Sequence, residues 1–380
     1  MKDFFHRDLR LFIDHRFDWE RYFRLRGTST EVAEEVETYR TILRTAGEVC
    51  GDIEAAARDH WHEEVRLDGS AVVVPPHIVT GYEKLRAAGL LCLMVDPAYG
   101  GYGLPALVNC VFMEMLSRAD PSLMTIVGLQ AGVALDVQKY GSEELKHRYL
   151  PRFVSGELQG CMDLTEPQAG SDLGGILTRL SEENGRYFID GSKIFITNGG
   201  ADMHLVLARD GATFDQSRGT THGLSLALCP VTLPDGTRNR VRVSRVERKM
   251  GIHGSPTCVI EFDHAEAFLL GQAGGGFRAM LDLMNNARLG VSAQAIGIAE
   301  AAYRAARQYA AERVQFGTPI IEQPLVKSML TLMAINIQAA RALLYRTCGL
   351  IDMTEAIRRE LDGGPSAGWL PTSSSGRTKL

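Results

Sequence analysis

No apolar run in this 380-residue chain approaches the roughly 20 residues that a bilayer-spanning helix needs, so no integral membrane segment is expected. Charges interrupt the first two dozen residues every few positions, and the apolar core of a signal peptide is missing. The seven cysteines (Cys50, Cys92, Cys110, Cys161, Cys229, Cys258 and Cys348) are odd in number, scattered and never spaced C-x-x-C. That pattern argues against a disulfide framework and a zinc ribbon alike, and it fits a reducing, cytoplasmic setting. Neither sign of charge dominates: 41 Lys and Arg stand against 46 Asp and Glu, a net charge of -5 that gives no general attraction for nucleic acid or anionic membranes. Metal chemistry has little support, because there is no H-E-x-x-H. In His60-Trp61-His62-Glu63-Glu64 the two imidazoles, two residues apart, face different sides of the helix expected there, so no metal site is expected.

What is present is ordinary globular material, 45% hydrophobic and 23% charged, long enough for two or three units sharing large cores. Helical spacing runs from Thr30 to Arg66, with Ser29 and Thr30 as N-cap residues, and recurs over Pro76–Ala88, Ala106–Ser117, Gly128–Tyr140 and Glu143–Ser155. About five helices are expected before residue 158. The texture then changes to β-rich runs. Arg186–Ile189 and Lys193–Thr197 flank Asp190-Gly191, which reads as a short hairpin turn, and further runs follow at Met203–Ala208, Gly223–Leu228, Arg240–Val246 and Cys258–Phe262. These predict a compact antiparallel domain. After Gly274-Gly275-Gly276, alanine-rich sequence from Phe277 to Arg313 favours a long helix. The run Leu325–Leu350 is apolar nearly all round, with Lys327, Arg341 and Arg346 as its only charges, so it should be buried on more than one side. The fold class is therefore α+β: an N-terminal helical domain (1–158), a central antiparallel β domain (159–272), a partial C-terminal helical bundle (273–352) and an irregular Gly/Ser/Pro tail (353–380).

Two segments carry the chemistry. Gly160-Cys161-Met162-Asp163-Leu164-Thr165-Glu166-Pro167-Gln168-Ala169-Gly170-Ser171-Asp172 is followed about two dozen residues later by Lys193-Ile194-Phe195-Ile196-Thr197-Asn198. Together they resemble the flavin signature of the acyl-CoA dehydrogenase family, a loop L-T-E-P-x-A-G-S-D and a strand W-I-T-N. The resemblance implies FAD, with Met162, Leu164 and Thr165 along the pyrimidine side of the ring and Phe195 and Thr197 packed on it or bonded near N5. Phe195 stands where Trp is common, which keeps stacking and loses the indole donor. Arg313-Val314-Gln315-Phe316-Gly317 is similar to the family's R-x-x-F-G, whose Arg and Phe reach the FAD of a neighbouring subunit, so a homo-oligomer is implied. By the same resemblance Ser171 and Arg288 contact the acyl-CoA. The stretches around Asp96-Pro97-Ala98-Tyr99-Gly100-Gly101 and Lys249-Met250-Gly251-Ile252-His253-Gly254 resemble the branch of long-chain fatty acyl-CoA and 3-methylmercaptopropionyl-CoA dehydrogenases. The structural alternatives are a loop-capping role for Ser171, helix cations at Arg288 and Arg313, and an ordinary hairpin for the signature pair.

The implied activity is α,β-dehydrogenation of an acyl-CoA to a 2-enoyl-CoA, with electrons passed to an electron-transfer flavoprotein. That reaction needs a carboxylate to take the α-proton. The family places it in a Y-E-G-T motif, absent here, or directly before the arginine matching Arg288, where this chain has Ala287. Glu322, Glu355 and Glu360 read as solvated surface residues, so the catalytic base is unassigned. Two alternatives follow: a truncated or noncatalytic flavin- and acyl-CoA-binding subunit, and an acyl-CoA oxidase.

Overall fold

The computed structural model describes residues 4–27 and 31–361. Among the described residues seven helices precede the β domain: α1 (Arg7–His15), α2 (Trp19–Arg26), α3 (Val32–Ala57), α4 (Pro76–Ala87), α5 (Ala106–Ala119), α6 (Pro121–Tyr140) and α7 (Glu143–Val154). Sequence patterning missed α1 and α2, which are short and charge-rich. Their apolar sides, Leu9, Ile13, Trp19, Tyr22 and Phe23, are buried in the common helical core. The expected helix to Arg66 ends nine residues earlier, at Ala57. A turn and a small hairpin, β1 (Arg66–Asp68) with β2 (Ala71–Val73), follow. The expected caps Ser29 and Thr30 lie outside the described residues. Helix α6 begins at Pro121, seven residues before the Gly128 expected: Asp120 caps it, accepting from Ser122 N and Leu123 N, and Pro at the first helical position suits the start.

The β domain contains β3 (Gly160–Asp163), β4 (Arg179–Glu183), β5 (Arg186–Thr197), β6 (Met203–Asp210), β7 (Leu224–Pro230), β8 (Val241–Val246) and β9 (Thr257–Leu270), with a one-turn helix α8 (Phe214–Ser217). Pairings run β6–β4–β5–β9–β7–β6 and close a ring, with β3 added to β6 and β8 to β9. The purely antiparallel expectation needs correction, because β3 and β4 both run parallel to β6. So does the hairpin at Asp190-Gly191. Residues 186–197 form one bulged strand against β9, in which Gly191, at φ +150, leaves no room for a Cβ beside Thr178 and the Asp190 carboxylate accepts from His264 N. The true hairpin turn is Asn184-Gly185, both at positive φ between Glu183 and Arg186. Period-2 alternation then divides each strand between two cores. Leu205, Leu207, Leu226 and Leu228 pack toward the helices, while Val206, Ala208, Ala227 and Cys229 fill the ring interior.

Helix α9 (Gly276–Glu312) and helix α10 (Pro324–Leu361) return the chain to the helical core, joined by a two-residue hairpin, β10 (Val314–Gln315) and β11 (Thr318–Pro319). Helix α10 continues nine residues beyond the expected tail boundary at 352. The Gly/Ser/Pro stretch itself lies outside the described residues. Arg341, which breaks the apolar run in sequence, is wholly buried: it bonds the Glu114 carboxylate of α5 at 2.6 and 2.9 Å and Glu300 of α9 at 3.1 Å. One cation thus ties three helices together. Much of the rest of α10 stays open, with Leu325, Met329, Leu332, Ile335, Leu343 and Leu350 exposed. No described helix is long and apolar enough to cross a membrane.

Candidate active site

Strand β3 and the first residues after it are held against strand β5 from beneath. Ile194 N donates to Thr165 O at 2.8 Å, so the two signature segments are bonded backbone to backbone. Lys193, fully buried, donates from Nζ to Leu164 O (3.0 Å), Leu207 O (2.7 Å) and Glu166 Oε1 (2.8 Å). The other carboxylate oxygen of Glu166 accepts from Leu177 N at 2.8 Å, and Thr178 N reaches Oε1 at 3.1 Å. Burial disfavours charge on both partners. For Glu166 the ammonium and the donated bonds overcome it and hold the carboxyl below its usual range, whereas for Lys193 burial prevails and the ammonium titrates below its usual range. With three acceptors around Nζ, the pair is charged. Motif matching left Lys193 and Glu166 without roles; a lone lysine inside an apolar β run was the available signal.

On this base, Met162 and Thr165 are half-buried and Leu164 is buried. Phe195 departs from the alternation of its strand. Pairing with β9 shifts register between Lys193 and Ile196, Phe195 takes φ +60, and its ring stands 59% exposed. A solvent-facing aromatic in a strained conformation, beside a backbone-clamped loop, is suited to stack on a planar ring system. Thr197, two residues on, lines an apolar cavity of about 210 Å³ between α5, α6 and α9, whose walls include Met113, Met124, Gly128, Leu283 and Ala287. The structure therefore brings Phe195 and Thr197 to the same strand end as Thr165, with an acyl-sized apolar space adjoining. Among the described residues lining this cavity there is no carboxylate. A smaller polar cavity shares Met94, Leu135 and Asn286 with it and carries Asp136, Asp282, Asp352 and Glu355. Burial pushes Asp136 well above the usual carboxylate range. Glu355, expected on the open surface, instead faces this cavity and lies 3.9 Å from Arg359.

The remaining expected site residues are not gathered with these. Ser171 is exposed on the loop before a short turn, where Asp172 Oδ1 accepts from Gly174 N and so has a structural role. Arg288 is exposed and donates to Asn285 Oδ1 at 2.6 Å. Arg313 and Phe316 sit past the far end of α9, roughly 40 Å along the helix axis from Ala287. Phe316, 96% exposed, forms the tip of the β10–β11 turn with Gly317. Within one chain these two do not reach the Thr165–Thr197 cluster.

A helical layer, a seven-stranded β domain and a helical pair, with a clamped loop and strand opening on an apolar cavity, define a flavoprotein-type architecture. Family models describe the acyl-CoA dehydrogenase N-terminal domain over residues 38–157, the middle domain over 161–265 and the C-terminal domain over 274–362. The chain belongs to the acyl-CoA dehydrogenase family, whose members are oxidoreductases. It is 35% identical over 370 residues to a 3-methylmercaptopropionyl-CoA dehydrogenase of Ruegeria pomeroyi, covering 92% of this chain and 62% of that protein, so it spans less than two thirds of that relative's length. The butyryl-CoA dehydrogenase structure from Megasphaera elsdenii is similar at a TM-score of 0.72 with 28% identity, over 87% of this chain and 81% of that one. An acyl-CoA dehydrogenase from Bacillus anthracis, solved as a complex with FAD, matches at 0.71 with 26% identity, over 86% and 55%.

Proposed function

We propose that this chain binds FAD and an acyl-CoA thioester and serves their α,β-dehydrogenation to a 2-enoyl-CoA, with electrons leaving to an electron-transfer flavoprotein. The observation that carries this reading is the junction at Thr197, where the clamped signature strand ends in the wall of the apolar cavity. FAD, when bound, supplies the hydride acceptor. Met162, Leu164 and Thr165 would hold its pyrimidine side, Phe195 its ring face, and Arg313 and Phe316 of a neighbouring copy its far end, with Ser171 and Arg288 toward the thioester. The exposed apolar side of α10 supports association, since it offers several large side chains to a partner.

A second reading is supported by the cavity itself. Among the described residues its lining holds no carboxylate, and Ala287 stands where some family members carry the base. On that reading the chain binds flavin and thioester without turnover. An anaerobic visible spectrum of the purified chain with FAD, taken before and after a panel of acyl-CoAs, separates the two. Bleaching of the oxidised flavin band supports dehydrogenation and names the substrate class. Bound flavin that no acyl-CoA bleaches overturns it in favour of the binding role. Oxygen consumption during turnover would instead indicate an acyl-CoA oxidase.

A further inference from the structure

The polar cavity beside the acyl cavity has no task in the flavin site. It measures about 80 Å³ and is walled in part by α6, α9 and α10. Met94, Leu135 and Asn286 belong to the walls of both cavities, so the two spaces adjoin. Most charges around the polar one are already committed. Asp282 takes Lys139 Nζ and Tyr140 OH, both oxygens of Asp352 cap α5, and Arg26 donates to Tyr22 OH at 2.7 Å. Glu355 lies 3.9 Å from Arg359, and Asp96 Oδ1 accepts from Ala98 N.

Asp136 stands apart from these. It is 2% exposed, yet its Oδ2 has no hydrogen-bond partner. Asn286 Oδ1, from α9, is a second buried oxygen without a partner, and both residues line the cavity. Buried polar atoms are rarely left so, and two in one cavity mark the place of a hydrogen-bonding occupant. In the acyl cavity, by contrast, Gln294 Nε2 donates to Pro121 O at 2.9 Å and to Thr125 Oγ1 at 2.8 Å. The two open atoms define the occupant's chemistry. Both are oxygens, and a carboxylate offers them no proton. Burial, reinforced by Asp282, pushes the Asp136 carboxyl well above its usual range, so no fixed negative charge awaits an ammonium. A protonated carboxyl donates one bond and accepts another, as a hydroxyl does.

We propose that the polar cavity receives a hydroxyl carried on the acyl chain, with Asp136 and Asn286 as its hydrogen-bond partners, and that the substrate class is the hydroxyacyl-CoA thioesters. The assignment rests on the reading that the chain binds an acyl-CoA. Space suffices, since a water needs only about 10–15 Å³ of such volume and a hydroxymethyl group is little larger. The hydroxyl takes no part in the chemistry at the flavin; it anchors the chain and discriminates. An acyl group that lacks it leaves the two buried oxygens unpaired, and that penalty is the source of the selectivity. Asp136 and Asn286 are on this account specificity-determining residues.

The test is isothermal titration calorimetry of the FAD-saturated full chain, under anaerobic conditions and without an electron acceptor. Butanoyl-, hexanoyl- and octanoyl-CoA are compared with their ω-hydroxy and ω-carboxy counterparts. At one chain length or more, the hydroxy compound should bind about three- to tenfold more tightly than the plain one and than the carboxy one. Asp136→Leu should abolish that preference while still binding the plain chain. Asp136→Asn, which keeps a donor and an acceptor, should retain it. Replacing an unpartnered buried carboxyl by an apolar side chain of similar size is close to neutral for folding, and circular dichroism verifies it. Hydroxy compounds no tighter than plain ones at every length, a preference that survives in Asp136→Leu, or a preference for the carboxy compounds each overturns the assignment. Plain chains that bind in those cases leave the acyl-CoA reading standing, whereas no binding of any acyl-CoA overturns that reading and this one with it.

Discussion

Replacing Lys193 by Met tests whether one buried ion pair holds the signature loop in shape. The ammonium serves two carbonyls and a carboxylate, all within 3.0 Å and all shut away from water. The substitution keeps the length of the stem and removes every donor, leaving Glu166 as a buried anion with only Leu177 N, Thr178 N and Gln168 Nε2 to offset it. Breaking one side of such a pair costs about 3–5 kcal/mol, mostly as the penalty of the charge left behind. That is a large share of the 5–15 kcal/mol that holds a typical domain folded. Combining Lys193→Met with Glu166→Gln removes the stranded charge, although the single amide oxygen keeps only one of the two backbone donors, because Leu177 N and Thr178 N bond different carboxylate oxygens. The double variant should therefore regain roughly 1–3 kcal/mol over the single. Urea unfolding followed by circular dichroism at neutral pH gives both numbers. FAD retention through gel filtration reports the loop directly, because Leu164 O loses the bond that fixes it beside Thr165. A single variant within about 1 kcal/mol of the parent, or a double variant no more stable than the single, would refute the reasoning.

Two further outcomes rest on other parts of the helical core. Asp352 accepts from Ala106 N and Leu107 N, capping α5 from α10; burial still pushes its carboxyl up to about 7, against the donated bonds and Arg26. The folded state then keeps a proton that the unfolded chain releases near pH 4, so this group's contribution to stability falls as pH rises from about 4 to 7 and is constant above. Asp352→Asn should flatten that slope, worth up to the order of 4 kcal/mol; parallel pH profiles of parent and variant would count against it. On α9, a Cβ at Gly297 would lie 2.5 Å from Glu114 O and 2.6 Å from Ser117 Cβ, whereas one at Gly128 of α6 would meet nothing within 4 Å. Thermal unfolding should show Gly297→Ala destabilised by about 1–3 kcal/mol and Gly128→Ala neutral or slightly stabilised.

By itself, the sequence determined the order of helices, strands and helices, the family, and the two signature segments that the structure bonds together, because these rest on local propensity and on motifs read within a few residues. Five of the seven early helices and five of the seven strands of the β domain, β5 to β9, were legible for the same reason. Charge on short elements hid α1 and α2, whose apolar faces make sense only against the distant helices they pack on, α3 and α10. Tertiary structure alone decided the rest. Asp190-Gly191 has the chemistry of a turn, yet pairing on both sides with β9 stretches it into a bulged strand, and Asn184-Gly185 turns instead. Arg341 looked like a stray charge until α5 and α9 brought Glu114 and Glu300 to it. The early end of α3 and the approach of α4 set His77 within 3.7 Å of Glu63, a pairing that sequence spacing does not show. In each case the deciding partner lies many residues away, and proximity across such a span is set by packing of the whole chain rather than by neighbours in sequence.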